Sequence, residues 1–219
     1  MKSTVVARMI KLFLPILIGI GVIGIMGLLM GDLVRLEYWS LITGYFFPPL
    51  GKESIIPIGI ARGFHPILMA LSIAFVDIIV AMFLVWNYDL AKKIPFLGKF
   101  MKKVEEKGRN VEDKYGWIKP LRFVGIVIFV MIPFQGSGGL VASIVGRFIG
   151  MKPRNTFIAI AVGAITGCLL VATFSKAFMI FVEINTTLTI ILIILLAMPL
   201  IGYFVAKKLK KPKKIISRH

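Results

Sequence analysis

Two carboxylates lie in strongly apolar sequence, Glu53 and Asp77. An acidic residue at the centre of a membrane helix costs about 2.5–3.5 kcal/mol on translocon scales, so each needs a partner or a task. Reversible protonation is one such task, because burial disfavours the charged carboxylate and a neighbouring Arg or Lys favours it. A static ion pair that locks the backbone is the other reading. The cations at hand are Lys52, Arg62, Arg122 and Arg147. Arginines near helix ends ordinarily snorkel to an interface. On a short arm that folds back into protein, however, a guanidinium can offer a two-point fork to phosphate or carboxylate. The run Gln135-Gly136-Ser137-Gly138-Gly139 supplies a third chemistry, a nest of backbone N–H groups that favours anions, with Ser137 as a cap. The same glycines also suit a sharp turn.

Other chemistries lack their residues. His65 and His219 cannot build a metal cluster, and Cys168 alone forms no internal disulfide. No nucleophile–base–orienter set is visible, the glycine run lacks the Lys-Ser/Thr of a Walker loop, and no cofactor or enzymatic activity is expected.

The elements that must position these groups are membrane elements. Over 219 residues the apolar fraction is 58%, against roughly 45–50% in soluble domains, and the mean hydropathy is +0.91. The net charge of +17 gathers at Lys2/Arg8/Lys11, between Lys92 and Lys119, and in a tail rich in lysine from Lys207 to Lys214. All three clusters flank apolar segments, so the positive-inside rule accounts for them without nucleic acid. Residues 12–30 are too long for a signal-peptide core and read as a retained first span. Residues 12–30, 66–86, 155–175 and 186–204 each meet the roughly 20 residues needed to cross the hydrocarbon core.

Two further apolar blocks, 38–63 and 117–150, are broken by Pro48-Pro49-Leu50-Gly51 and by Pro133 with the glycine run. Interrupted backbone at membrane depth is tolerated where protein or a wet cavity satisfies it, and paired interruptions in two halves point to a substrate site. With every basic cluster inside, the first block must enter and leave from outside, and the second from the cytoplasm. The expected fold is therefore an all-α integral membrane protein. It has about four transmembrane helices plus two opposed re-entrant helical hairpins in an inverted-topology repeat. Placing Pro49 on Pro133, with a three-residue insertion before Pro66 meets Pro153, aligns the halves and brings Arg62 within one residue of Arg147. The chain then reads as a single membrane domain: 1–37 first span and outer loop, 38–88 first repeat, 89–116 a basic amphipathic loop, 117–176 second repeat, 177–205 last span and 206–219 a cytoplasmic tail.

Glu53-Ser54-Ile55-Ile56-Pro57-Ile58-Gly59-Ile60-Ala61, then Tyr115-Gly116 and Ile132-Pro133-Phe134-Gln135-Gly136-Ser137-Gly138, carry a family likeness. The chain resembles the small multidrug export protein family, related to the DedA (VTT-domain) membrane proteins, over residues 51–176. The family's name implies drug export, whereas DedA relatives imply proton-linked movement of phospholipids or polyprenyl-phosphate carriers. Because the candidate cavity groups are mostly cationic or glycine N–H, the sequence favours an amphipathic lipid or lipid-phosphate cargo, with proton coupling through Glu53 and Asp77. Drug export and a non-transporting membrane scaffold are the alternatives. The expected partners are membrane lipids, an anionic lipid substrate and a second copy of the chain. The expected location is a prokaryotic cell membrane with both termini cytoplasmic.

Overall fold

The computed structural model describes residues 2–47, 49–88, 119–134 and 137–187, with 190, 191, 194, 195, 198 and 199. The basic loop, most of the last expected span and the tail lie outside the described residues. Every described element is a helix: α1 Lys2–Leu28, α2 Asp32–Gly44, α3 Lys52–Ala61, α4 Pro66–Trp86, α5 Lys119–Met131, α6 Gly139–Phe148 and α7 Pro153–Ile184. Met1–Lys176 and Ala177–His219 form two compact units, and the packing below belongs to the first. Among the described residues, three helices are long and apolar enough to cross a membrane: Met9–Leu28, Pro66–Trp86 and Pro153–Ile184. Leu17, Ile20 and Ile25 of α1 stand exposed. An apolar face of that extent suits hydrocarbon, not water.

α4 keeps the expected bounds, started by Pro66 at a first-turn position where no N–H is needed. Elsewhere the charges misled the sequence reading. Asp32, Arg35 and Glu37 are not a loop before residue 38 but part of α2. Asp32 sits in its first turn, where the helix dipole favours an anion, and pairs with Arg35 at 3.0 Å. Arg35 also donates to the carbonyls of Gly27 and Met30 at 3.3 Å, capping the end of α1. α7 likewise runs past Ser175 to Ile184.

The two broken blocks each form a helix, a break and a second helix. A constant shift of 87 residues carries α2 onto α5, α3 onto α6 and Pro66 onto Pro153. The ends of α3 and α6 repeat in detail. Gly63, at φ 91°, and Gly150, at φ 78°, take the left-handed conformation that glycine tolerates. Gly63 N–H donates to Ile60 and Phe64 N–H to Gly59; Gly150 N–H donates to Arg147 and Met151 N–H to Gly146. Each set is a Schellman cap. Burial repeats too: Met69, Ser72, Ile73, Val76, Asp77, Ala81 and Val85 of α4 are buried, as are Thr156, Ala159, Ile160, Gly163, Ala164, Cys168 and Ala172 at the same shift.

This register replaces the proline-based alignment and its insertion. Pro49 falls on Gly136, Arg62 on Ile149 and Arg147 on Ile60, so the two arginines are not counterparts. Prolines can occupy any of several positions in a non-helical break, whereas the helix caps on either side fix the register.

The core gathers on the inner faces of α2, α3, α4 and α7, where Tyr38, Ile56, Met69, Ile73, Ile160 and Cys168 are fully buried. Tyr38 and Ser72 share a buried hydroxyl–hydroxyl hydrogen bond of 2.9 Å, tying α2 to α4. Gly163 and Gly167 let α7 meet the end of α5, since a Cβ there would stand 2.6 Å from the Val127 carbonyl oxygen and 2.7 Å from that of Met131.

Candidate functional site

The break between α5 and α6 leaves two sets of backbone groups without helical partners, the last carbonyls of α5 and the first N–H groups of α6. Residues of the first half of the chain meet both. Asp77, in the middle of α4 and 2% exposed, accepts from the N–H of Gly139 at 2.9 Å and from the Tyr45 hydroxyl at 2.8 Å, both through Oδ1. A carboxylate thus caps the positive end of α6 from another helix. Lys52, the first residue of α3 and also 2% exposed, donates its ammonium to the carbonyl of Val130 in the last turn of α5. A cation thereby meets the negative end of α5. Gly138 and Gly139 permit this approach: a Cβ on Gly138 would lie 2.8 Å from Asp77 Oδ1, and one on Gly139 would overlap the Asp77 backbone carbonyl.

Asp77 and Lys52 line one cavity of about 440 Å³ together with Tyr45, Phe46, Leu50 and Phe134. That volume is within the usual range for small-molecule sites. The second carboxylate oxygen, Oδ2, is buried and has no hydrogen-bond partner among the described residues. A desolvated acceptor in this condition costs about 1–3 kcal/mol or more, a cost that a ligand's positive or donor group removes.

A family model whose description names small multi-drug export as its supposed activity matches residues 54–170, over half of the chain. The chain belongs to the small multi-drug export protein family. No curated protein and no solved structure gives a match. In this family member the match takes in Asp77 and the α5–α6 break, while Lys52 and Glu53 stand just before it.

The other residues singled out from sequence are dispersed. Glu53 lies in the first turn of α3; its carboxylate folds back so closely over Gly51 that a Cβ there would collide with it. It lines a different cavity from Asp77, so the two acids do not share one chamber. Arg147 is near the end of α6, about 12 Å along the helix from Gly139. It donates to the Met151 carbonyl at 2.9 Å, and its guanidinium carbon lies 4.9 Å from the Tyr88 ring centroid. The structure does not bring it to the glycine turn. Arg62 is exposed at the C-cap of α3, and Arg122 is in the first turn of α5. Ser137 does not cap α6, where Gly138 is the N-cap; its hydroxyl donates to the carbonyls of Ile132 and Phe134, both at 2.8 Å, and so holds the turn. Gln135 and Gly136 lie outside the described residues. Tyr45 was not singled out from sequence. Its signal was its place at the end of α2, beside the break, where a hydroxyl can reach inward.

Proposed function

We propose that this family member is a membrane carrier that exports small amphipathic cations, with Asp77 meeting their charge. The observation that carries this reading is Asp77 Oδ2, which has no partner among the described residues, in a cavity walled by Tyr45, Phe46 and Phe134. A carboxylate supplies Coulombic attraction in a poorly screened site, and aromatic faces add cation–π attraction of about 0.5–2 kcal/mol. A proton and an organic cation neutralise the same oxygen, so their binding is mutually exclusive, which couples outward movement of one to inward movement of the other. The lipid-phosphate cargo favoured from sequence loses its support here. Its proposed ligands do not converge: Arg147 and Arg62 are elsewhere, and the Lys52 ammonium is engaged with Val130.

Lys52 separates the two cargoes by sign. Replacing it with Met keeps the side-chain bulk and removes a positive charge from the cavity. Lys52→Met is expected to bind tetraphenylphosphonium roughly tenfold more tightly, a change of ~1.4 kcal/mol of the kind two like charges produce at intermediate dielectric. A phosphate-binding site would weaken by a similar factor toward a polyprenyl phosphate. Equilibrium dialysis with both ligands reads the difference.

The proposed arrangement in the membrane is four spans and two opposed re-entrant hairpins. Its support is that α2 and α3, of 13 and 10 residues, reach only about 20 and 15 Å, short of a hydrocarbon core of about 30 Å, and that α5 and α6 repeat those lengths. With both termini on the cytoplasmic side of a prokaryotic cell membrane, single cysteines at Asp32 and His65 in a Cys168-free background react with an impermeant reagent from outside. Cysteines at their counterparts, Lys119 and Lys152, react only after permeabilisation. Members of one pair labelling from opposite faces would make that block a through-span.

A further inference from the structure

The cavity lined by Glu53 is related to the Asp77 cavity by the repeat itself. It measures about 450 Å³ and is walled by Glu53, Ile132, Pro133 and Gly167 among others. Under the shift of 87 residues these four positions are Leu140, Tyr45, Phe46 and Val80, all of which line the Asp77 cavity. Part of the wall of each chamber is therefore built from repeat-related positions.

The acid in each chamber comes from a different wall. In the first it is Asp77 on the long helix, facing Leu140 on the arm; in the second it is Glu53 on the arm, and the position matching Asp77 is Ala164. Each chamber thus holds one carboxylate, though no acidic position is shared between the repeats. In both, a buried carboxylate oxygen has no hydrogen-bond partner among the described residues, Asp77 Oδ2 and Glu53 Oε2. The repeat itself does not require an acid at either position, because the counterpart of Glu53 is Leu140 and that of Asp77 is Ala164. The remaining walls of the Glu53 chamber include Met131, Leu170 and Phe174, apolar surface suited to the body of a lipophilic ion.

We infer that the Glu53 chamber is a second binding site for lipophilic cations, the repeat-related twin of the Asp77 site. Its ligand class rests on the reading of Asp77 given above, but its occupancy can be measured separately. Purified full-length protein is treated with dicyclohexylcarbodiimide, which adds to carboxyl groups in apolar surroundings, and the modified residues are mapped by mass spectrometry with and without saturating tetraphenylphosphonium. Modification at Glu53 is expected to fall at least tenfold when the cation is present. Equal modification at Glu53 in the two samples overturns the twin site, while the Asp77 peptide independently reports on the first one.

Equilibrium dialysis supplies a second reading that does not depend on reactivity. The wild type should bind two cations per chain, and Asp77→Asn should retain one, which Glu53→Gln in the same background removes. An Asp77→Asn variant that binds none while the wild type binds one leaves the Asp77 site standing and overturns the twin. An Asp77→Asn variant with wild-type stoichiometry, losing one cation only on Glu53→Gln, supports the twin and rejects Asp77 as the ligand.

Discussion

Asp77→Asn is expected to leave the protein folded and monodisperse while cation binding at its cavity falls at least a hundredfold. The amide oxygen can still accept from Tyr45 and Gly139, the two hydrogen bonds that Oδ1 receives, so the start of α6 stays capped. What disappears is the negative charge, in a site where 2% exposure leaves little water to screen it. A hundredfold loss corresponds to about 2.7 kcal/mol, within reach of one poorly solvated charge–charge contact. Asp77→Ala should behave differently, because it also strands the Gly139 N–H and the Tyr45 hydroxyl at about 1–3 kcal/mol each. Calorimetric binding beside a thermal melt separates the effects: lost affinity with an unchanged melt for Asn, and a lowered melt for Ala.

The largest effect on folding is expected at Gly139. A Cβ at that position would overlap the backbone carbonyl of Asp77, and backbone cannot rotate away as a side chain can. Gly139→Val must push α6 off α4, breaking the Gly139–Asp77 hydrogen bond and opening the core between them. The cost lies at or above the upper end of the ~1–3 kcal/mol typical of overpacking. Size-exclusion profiles after detergent extraction should show little monodisperse variant. Gly125→Ala is the control, since a Cβ there meets nothing within 4 Å, and its profile should match the wild type.

The bounds of α4 were legible in the sequence because a long, largely apolar run begins at a proline. The two breaks were legible because proline and glycine inside membrane sequence leave few other readings. Asp77 announced itself as an acid amid apolar residues. By contrast, Asp32, Arg35 and Glu37 read as a loop because charge suggests water, whereas all three lie in α2, with Asp32 in its first turn and Arg35 capping the end of α1. The repeat was legible, yet its register was not, since the matching prolines sit in breaks where position is loosely constrained. Lys52 stood in the sequence as one cation among four, and nothing local shows that its side chain reaches Val130, 78 residues away. That Glu53 and Asp77 line separate cavities was not legible for a related reason, since it depends on how distant helices pack.

Coupled transport is the most direct test of the central claim, that a carrier moves amphipathic cations through the Asp77 cavity. Proteoliposomes loaded with tetraphenylphosphonium are given an imposed pH gradient, and release is followed with an ion-selective electrode. The account predicts gradient-driven release by the wild type and none above the protein-free background by a well-folded Asp77→Asn variant. Wild-type release at the background rate, or equal release by the variant, would contradict it.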